Sequence, residues 1–207
     1  MTLHTQPLAA AGASASTSAE PRLWLLRHAR PLIEPGICYG ALDLAADLDA
    51  TREAAHTVAS QLPQATLVVT SPLQRCELLA QTLCGLRPDF VYKTEPRLRE
   101  MNFGCFEGQR WDSISQQAYD DWVADFWAHR FGGVDCVADL LTRVAGAWDE
   151  ARRSGQPQIW ITHAGVIRAA TLLSKGIRRV NDATQWPVVA PAFGQSCVLR
   201  LADVDGL

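Results

Sequence analysis

The 207-residue sequence lacks a long hydrophobic run, a secretory signal and any strong excess of charge. No apolar stretch approaches the roughly 20 residues that a membrane-spanning helix needs. The opening MTLHTQPLAA has neither the basic region nor the apolar region of a signal peptide. These absences argue against a membrane partner and predict a cytoplasmic location.

The charge balance argues against a nucleic-acid partner. The formal net charge is −3 and the pI is about 5.9, so there is no general basic field to attract a polyanion. Lys93 and Lys175 are the only lysines among 19 basic residues. Arginine supplies the other basic residues, and its guanidinium suits bidentate binding of phosphate. Any anion site must therefore be local.

Closely spaced cysteine pairs are missing as well. No two of the six cysteines stand at the Cys-x-x-Cys spacing: Cys38, Cys76, Cys84, Cys105, Cys136 and Cys197. Small buried thiols in a reducing compartment are the expected form. The sequence alone leaves the pairing of cysteines open.

Short apolar runs alternate with helical stripes from residue 22 onward. The runs predict strands at residues 22–26, 65–71, 90–94, 158–162 and 196–201. The stripes predict helices at about 50–62, 72–83 and 137–148, one or two helices within 112–128, and a helix after His163. This alternation predicts an α/β three-layer sandwich, in which helices cover both faces of a mostly parallel sheet. Residues 1–20 are expected to form a disordered tail, and residues 21–207 a single domain.

Three predicted strands end beside side chains that can bind or attack phosphate. Arg27 and His28 follow the first strand, Arg75 lies shortly after the second, and His163 follows strand 158–162. An Arg-His pair alone is close to a chance occurrence. Ligands of parallel α/β folds bind beyond the carboxyl ends of the strands, so these side chains are expected to converge on one site.

The chemistry of phosphoryl transfer suits this set of residues. A neutral imidazole such as that of His28 can attack phosphorus. The side chains able to hold the phosphoryl oxygens without a metal ion or other cofactor are Arg27, Arg75 and His163. A leaving alkoxide also needs a proton, and Glu100 and Glu107 in RLREMNFGCFEG offer carboxyl groups.

Four sequence blocks resemble the histidine phosphatase superfamily, also called the phosphoglycerate mutase-like family. They are LLRHA, SPLQRCELLAQTL, LREMNFGCFEG and ITHAGVIRAA, and they span residues 25–170 in the order and spacing typical of that family. The resemblance implies the phosphoglycerate mutase-like fold and a small phosphorylated metabolite as the substrate. It implies no metal ion and leaves the oligomeric state open.

The resemblance also implies a role for each site residue. His28 corresponds to the histidine that is phosphorylated, and Glu100 to the proton donor. Three positions correspond to the phosphate pocket: Arg27, Arg75 and His163. Glu107 resembles a structural member of the same block.

Finer features favour a hydrolase. GICYGALDLAAD and the LREM block look most like the α-ribazole phosphatases of cobalamin biosynthesis. His163 follows Glu100 by 63 positions, whereas the phosphoglycerate mutases carry an insertion in this segment. The chain departs from its relatives where Arg30 replaces a frequent acid and Asn102 an Asp. Asp135 and Cys136 likewise replace Glu and Ser.

Other interpretations are open at this point. DLDAT at 47–51 matches the signature of haloacid dehalogenase-type phosphatases, although Asp47 or Asp49 equally suits the start of a helix. A phosphoglycerate mutase-type phosphomutase and a pseudoenzyme that binds a phosphorylated ligand are further alternatives. Packing is the default expectation for the tryptophans at 111, 122 and 127, and a place beside an aromatic leaving group is the alternative.

Overall fold

The structure is a computed structural model that describes residues 21–201; the predicted tail at residues 1–20 lies outside the described residues, as do residues 202–207. Its centre is a five-stranded sheet in the order β3-β2-β4-β1-β5. The strands are β1 (Arg22–Arg27), β2 (Leu67–Thr70), β3 (Val91–Thr94), β4 (Gln158–Thr162) and β5 (Ser196–Arg200). Of these five strands only β5 pairs in the antiparallel sense, so the mostly parallel sheet is confirmed.

Helices cover both faces of this sheet, as the sequence predicts. The five α-helices are α1 (Leu48–Ala59), α2 (Gln74–Leu86), α3 (Gln116–Ala124), α4 (Val137–Ser154) and α5 (Ala164–Leu173), of which α3 packs against Phe131 rather than on the sheet. Successive strand residues point to opposite faces. Leu23 and Leu25 of β1 therefore pack with α4 and α5, whereas Trp24 and Leu26 pack with α1 and α2. Each fully buried leucine stabilises the fold by roughly 2 kcal/mol.

The order of the strands brings three carboxyl ends together. β4 lies between β1 and β2, although β1 and β2 are neighbours along the chain. Arg27 of β1 stands beside Thr162 of β4, and Thr70 of β2 stands beside Ile161. Side chains that follow these strands consequently share one edge of the sheet, which is the edge where parallel α/β folds bind ligands.

The first helix begins two residues before its predicted start and ends earlier than predicted. Asp47 is its N-cap, and its Oδ1 accepts a hydrogen bond from the Ala50 amide at 2.9 Å. The helix stops at Ala59, while Leu62 is buried after the chain has turned. The helical spacing of apolar residues continues beyond the end of α1 because Leu62 packs in the same buried cluster as Val58.

The second helix starts two residues later than the start at about Pro72 that the sequence predicts. It begins at Gln74, because the Ser71 hydroxyl and the extended backbone of Leu73 form the turn that precedes it. The predicted apolar stripe is buried throughout: Leu73, Cys76, Leu79, Ala80 and Leu83.

The segment 112–128 contains a single α-helix, α3. Trp111 before α3 and Trp122 within it stack on Phe131, with ring centroids 6.2 and 4.4 Å away. Both rings thus pack against Phe131, and Trp122 also lines a cavity beside Glu100. Trp127 packs against the main core, and the Arg179 guanidinium lies 5.5 Å from its ring.

The haloacid dehalogenase alternative is wrong for this fold. The aspartates of that signature must end a buried strand, but DLDAT starts α1 instead. Asp47 caps the helix, and exposed Asp49 pairs with Arg52 at 3.1 Å. Neither carboxylate stands at a strand end.

The six cysteines carry free thiols, and Cys38, Cys76 and Cys136 are buried as expected, whereas Cys105 is exposed. Within residues 21–201, no helix is both long enough and apolar enough to cross a bilayer.

We predict that Asp47→Ala lowers the Tm by about 2–4 °C, because Asp47 caps α1 and helix caps typically have effects of this size. Asp49→Ala is the matched control and is expected to shift the Tm by less than about 1 °C. Differential scanning calorimetry measures both. Equal shifts would contradict the assignment of Asp47 as the cap.

Candidate active site

His28 is the first residue beyond β1. Its amide donates to the Thr162 carbonyl at 3.0 Å, which continues the β1-β4 ladder by one residue. Its Nδ1 lies 2.7 Å from the Ala29 carbonyl. A carbonyl oxygen can only accept, so Nδ1 carries the ring proton and Nε2 keeps its lone pair. The backbone therefore selects the tautomer in which Nε2 is free to attack.

The His28 imidazole is held in its neutral form. Burial lowers its pKa to about 3, and the positive charges of Arg75 and Arg27 act in the same direction. The hydrogen bond to the Ala29 carbonyl raises the pKa and offsets only part of this lowering. A neutral imidazole is the nucleophilic form, because protonation removes the lone pair of Nε2.

His163 faces His28 from the end of β4, with the two ring centroids 5.1 Å apart. Its Nε2 lies 2.8 Å from the Ser71 hydroxyl at the end of β2 and 3.5 Å from the Cys76 thiol. Burial, followed by the charge of Arg75, holds the pKa of His163 well below its ordinary value. A neutral His163 can donate one hydrogen bond to an anion without adding a charge.

Arg75 supplies a fully buried guanidinium in the first turn of α2. Two of its nitrogens donate to the carbonyls of Gly40 and Leu42, both at 2.6 Å, and its buried Nε has no partner among the described residues. Gly40 is required at this close approach, because a Cβ there would lie 1.8 Å from the Met101 carbonyl oxygen. The loop at 40–42 thus fixes a cation beside His28.

Arg27 approaches the same place from β1. It donates to the Pro191 carbonyl at 3.1 Å, and its guanidinium carbon lies 4.0 Å from the centre of the Phe193 ring. The same ring lies 5.4 Å from His28. Burial lowers the pKa of Arg27, and the Tyr39 hydroxyl and the Glu100 carboxylate partly oppose this shift. Arg27 remains a cation at neutral pH, since its ordinary pKa is about 12.5.

Glu100 lies against the N-terminus of α5. Its two carboxylate oxygens accept hydrogen bonds from the backbone amides of Met101 at 3.0 Å and Gly165 at 2.9 Å. A Cβ on Gly165 would lie 2.3 Å from Oε1 of Glu100. The absence of a side chain at position 165 is therefore what lets the carboxylate reach the site.

Arg143 supports Glu100 from α4. It donates to the carbonyls of Arg97 at 2.9 Å, Arg99, and Glu100 at 3.1 Å, which orders the segment that carries the carboxylate. The Asp135 carboxylate lies 3.6 Å from Arg143. Burial lowers the pKa of Arg143, and Asp135 opposes that shift.

Glu107 binds backbone rather than the reacting centre. Its carboxylate accepts from the amides of Ala41 at 2.8 Å, Leu42 at 2.6 Å and Phe103 at 2.9 Å. Since the Leu42 carbonyl accepts from Arg75, Glu107 also holds the loop that positions that cation. These bonds fit the structural role expected from the sequence.

The departures from the family pattern lie around this centre. The largely exposed Arg30 pairs with Asp47 at 2.9 Å, which partly neutralises its charge. The backbone amide of Asn102 donates to the Asp135 carboxylate at 3.0 Å. The side-chain oxygen of Asn102 accepts from the Gly104 amide at 2.8 Å. Asn102 and Asp135 thus shape a loop next to Glu100.

Sequence reasoning missed Tyr39, Arg143, Gly165 and Phe193. The glycine stands inside the THAGVIR block, two residues after His163, where a residue without a side chain was the available signal. Phe193 comes from a loop before β5 that matches no motif. The described residues contain no cluster of three or more His, Cys, Asp or Glu side chains placed to hold a metal ion.

Comparison with known proteins gives a consistent set of relatives. The family model described as histidine phosphatase superfamily (branch 1) matches residues 23–186. A putative phosphoserine phosphatase 2 from Hydrogenobacter thermophilus is 27% identical over 168 residues, covering 77% of this chain and 81% of that protein.

Solved structures share the fold. A mycobacterial glucosyl-3-phosphoglycerate phosphatase in complex with VO3 has a TM-score of 0.73 at 21% identity, covering 87% of this chain and 90% of its own. A protein from Thermus thermophilus has a TM-score of 0.65 at 25% identity, covering 86% of this chain and 92% of its own.

We predict that His28 stays neutral from about pH 7 down to about pH 5, because its pKa in the folded state is depressed. The nitrogen shifts of its ring, followed by NMR in labelled protein, should remain those of a neutral imidazole with the proton on Nδ1. The same histidine in urea-unfolded protein should titrate near 6.5 and serves as the control. A folded-state pKa close to 6.5 would contradict a neutral His28 imidazole.

Proposed function

Because the chain belongs to branch 1 of the histidine phosphatase superfamily, a family of phosphatases, we propose that it hydrolyses phosphomonoesters through a phosphohistidine on His28, without a metal ion. The observation that carries this proposal is the buried, neutral imidazole whose Nδ1 is bound to Ala29. Its free Nε2 lies among the side chains expected to hold phosphate: Arg27, Arg75 and His163.

In the first step, Nε2 of His28 attacks phosphorus in line with the ester oxygen. A nitrogen–phosphorus bond forms, and the phosphorus–oxygen bond to the alcohol breaks. Arg27 and Arg75 neutralise the negative charge that spreads over the equatorial oxygens, and His163 donates a hydrogen bond. Glu100, in its protonated form, gives its proton to the leaving oxygen.

In the second step, the Glu100 carboxylate takes a proton from water. The resulting hydroxide attacks phosphorus, inorganic phosphate leaves, and the lone pair returns to Nε2 of His28. The guanidinium groups of Arg27 and Arg75 stabilise the transition states of both steps. They can do so because they are fixed charges in a site with little water.

The substrate that the sequence blocks favour is α-ribazole 5′-phosphate, which would place the enzyme in cobalamin biosynthesis. The named relatives act on other phosphomonoesters, phosphoserine and glucosyl-3-phosphoglycerate by their names. We propose a small phosphorylated metabolite as the substrate, a cytoplasmic location, and one phosphatase domain over residues 21–207.

Two alternatives differ in what a metal-free substrate panel would detect. A phosphoglycerate mutase-type phosphomutase would isomerise 3-phosphoglycerate in the presence of its bisphosphate cofactor. A pseudoenzyme would bind phosphate and turn over none of α-ribazole 5′-phosphate, 3-phosphoglycerate, nucleotides and p-nitrophenyl phosphate.

We predict that His28→Ala lowers kcat for p-nitrophenyl phosphate by at least about 10³-fold, because it removes the nucleophile. EDTA should leave the wild-type rate unchanged. Release of p-nitrophenol measures both, and circular dichroism checks that the variant folds. Near-normal turnover by the variant, or strong inhibition of the wild type by EDTA, would contradict the mechanism.

We predict that Glu100→Ala slows phosphate esters of alkyl alcohols by about 10²–10⁴-fold. p-Nitrophenyl phosphate should slow much less in the first step, because its leaving oxygen needs no proton. Steady-state kcat/KM on the two substrates gives the comparison. Equal losses on both would argue against the acid role.

A second variant tests the position of this carboxylate without removing it. Gly165→Ala places a Cβ against Oε1 and should reproduce the leaving-group dependence of Glu100→Ala. Gly85→Ala in α2 is the matched control, because a Cβ there meets no atom within 4 Å. The same dependence in both glycine variants would contradict the positional argument.

A further inference from the structure

A cavity of about 200 Å³ opens beside Glu100. The carboxylate is part of its wall, together with Gly165 of α5. The proposed mechanism has Glu100 protonate the oxygen that joins phosphorus to the alcohol. The group attached to that oxygen must consequently lie next to Glu100, where this cavity begins.

Aromatic rings form much of the cavity wall: Phe103, Trp122, Phe126 and Trp186. Trp122 and Phe126 are stacked with centroids 5.6 Å apart, and Trp186 meets the edge of Phe126 at 6.1 Å. Trp122 also stacks on Phe131 at 4.4 Å. Rings that hold each other in this way form a preformed wall with little freedom to collapse.

Two polar groups in the wall distinguish the cavity from a simple packing defect. The Nε1–H of Trp122 is buried and has no hydrogen-bond partner among the described residues. Arg168 also lines the cavity, and it is tied to the Val188 carbonyl at 3.1 Å. A buried donor without a partner is costly, so the wall can also accept one acceptor atom at the edge of a mainly apolar group.

The size and lining of the cavity restrict what it can accept. Sites for whole drug-sized ligands have volumes of about 300–1,000 Å³, so about 200 Å³ suits one part of a ligand. A sugar that filled the whole cavity would lose most of its hydrogen bonds to water, because only Trp122 and Arg168 offer donors in this wall. An ammonium group would find Glu100 as the one acidic side chain in the wall, and the reaction uses that carboxyl.

We propose that this cavity is the leaving-group subsite and that it selects phosphomonoesters of alcohols that carry a flat, apolar ring close to the ester oxygen. The inference rests on the proposed phosphatase function and specifies its substrate class. Binding of the ring removes the apolar surfaces of both the ring and the cavity wall from water. It also places the ester oxygen next to Glu100.

The first test uses wild-type protein and three primary-alcohol phosphates of similar leaving ability. They are 2-(1-naphthyl)ethyl phosphate, ethyl phosphate and glycerol 1-phosphate. We expect kcat/KM for the naphthyl ester to exceed that for each of the others by about tenfold or more. Inorganic phosphate release, followed for all three, gives the ratios.

The second test asks whether the preference comes from this cavity. Trp186→Leu should reduce the ratio of kcat/KM for the naphthyl ester over ethyl phosphate by about fivefold or more. Trp127→Leu, which changes a tryptophan outside the cavity, should leave that ratio within about twofold of wild type. A ratio measured on one preparation is independent of how much of the variant is correctly folded.

The outcomes separate the two levels of the argument. His28-dependent hydrolysis of all three esters without a ring preference overturns the subsite and leaves the phosphatase function intact. A ring preference that is unchanged in Trp186→Leu also overturns it, because the ring must then bind elsewhere. Absence of any hydrolysis, p-nitrophenyl phosphate included, overturns the proposed function and the subsite together.

Discussion

Burial of the His28 imidazole beside two guanidinium groups is the constraint on which the rest of the site depends. In water this ring would be protonated about as often as not near pH 6.5, whereas burial and the charges of Arg75 and Arg27 hold its pKa at about 3. The Ala29 carbonyl then decides which nitrogen keeps the lone pair. Strand order completes the arrangement, because β4 brings His163 to the same edge of the sheet.

Buried cations need fixed partners, and two loops supply them. Carbonyls of residues 40–42 accept from Arg75, and Glu107 holds that loop through its amides. The segment before β5 gives Arg27 the Pro191 carbonyl and a ring face from Phe193, and it also contributes Trp186 to the cavity beside Glu100. One segment therefore borders both the proposed phosphate site and the proposed leaving-group subsite.

Sequence patterns predicted the layers, the sheet and the strand ends well, because apolar periodicity reports burial directly. They failed at helix ends, where Leu62 extends the spacing beyond α1 and Pro72 precedes α2 by two residues. They also did not identify Arg143 or Phe193 as residues of the site. Both act through contacts with residues far away in the sequence, and a polar helix face or a loop phenylalanine carries no local signal of such contacts. The sequence predicted the candidate reactive residues, and the structure adds the residues that hold them.

The measurement that tests the central claim most directly is isolation of the phosphorylated protein. Wild-type protein mixed with excess p-nitrophenyl phosphate and quenched at alkaline pH within milliseconds should carry one acid-labile phosphoryl group, which mass spectrometry of its peptides assigns to Nε2-linked phosphohistidine at His28. Phosphate on His163, on a cysteine or on a carboxylate would contradict the account, as would burst-phase turnover in which no phosphoprotein forms.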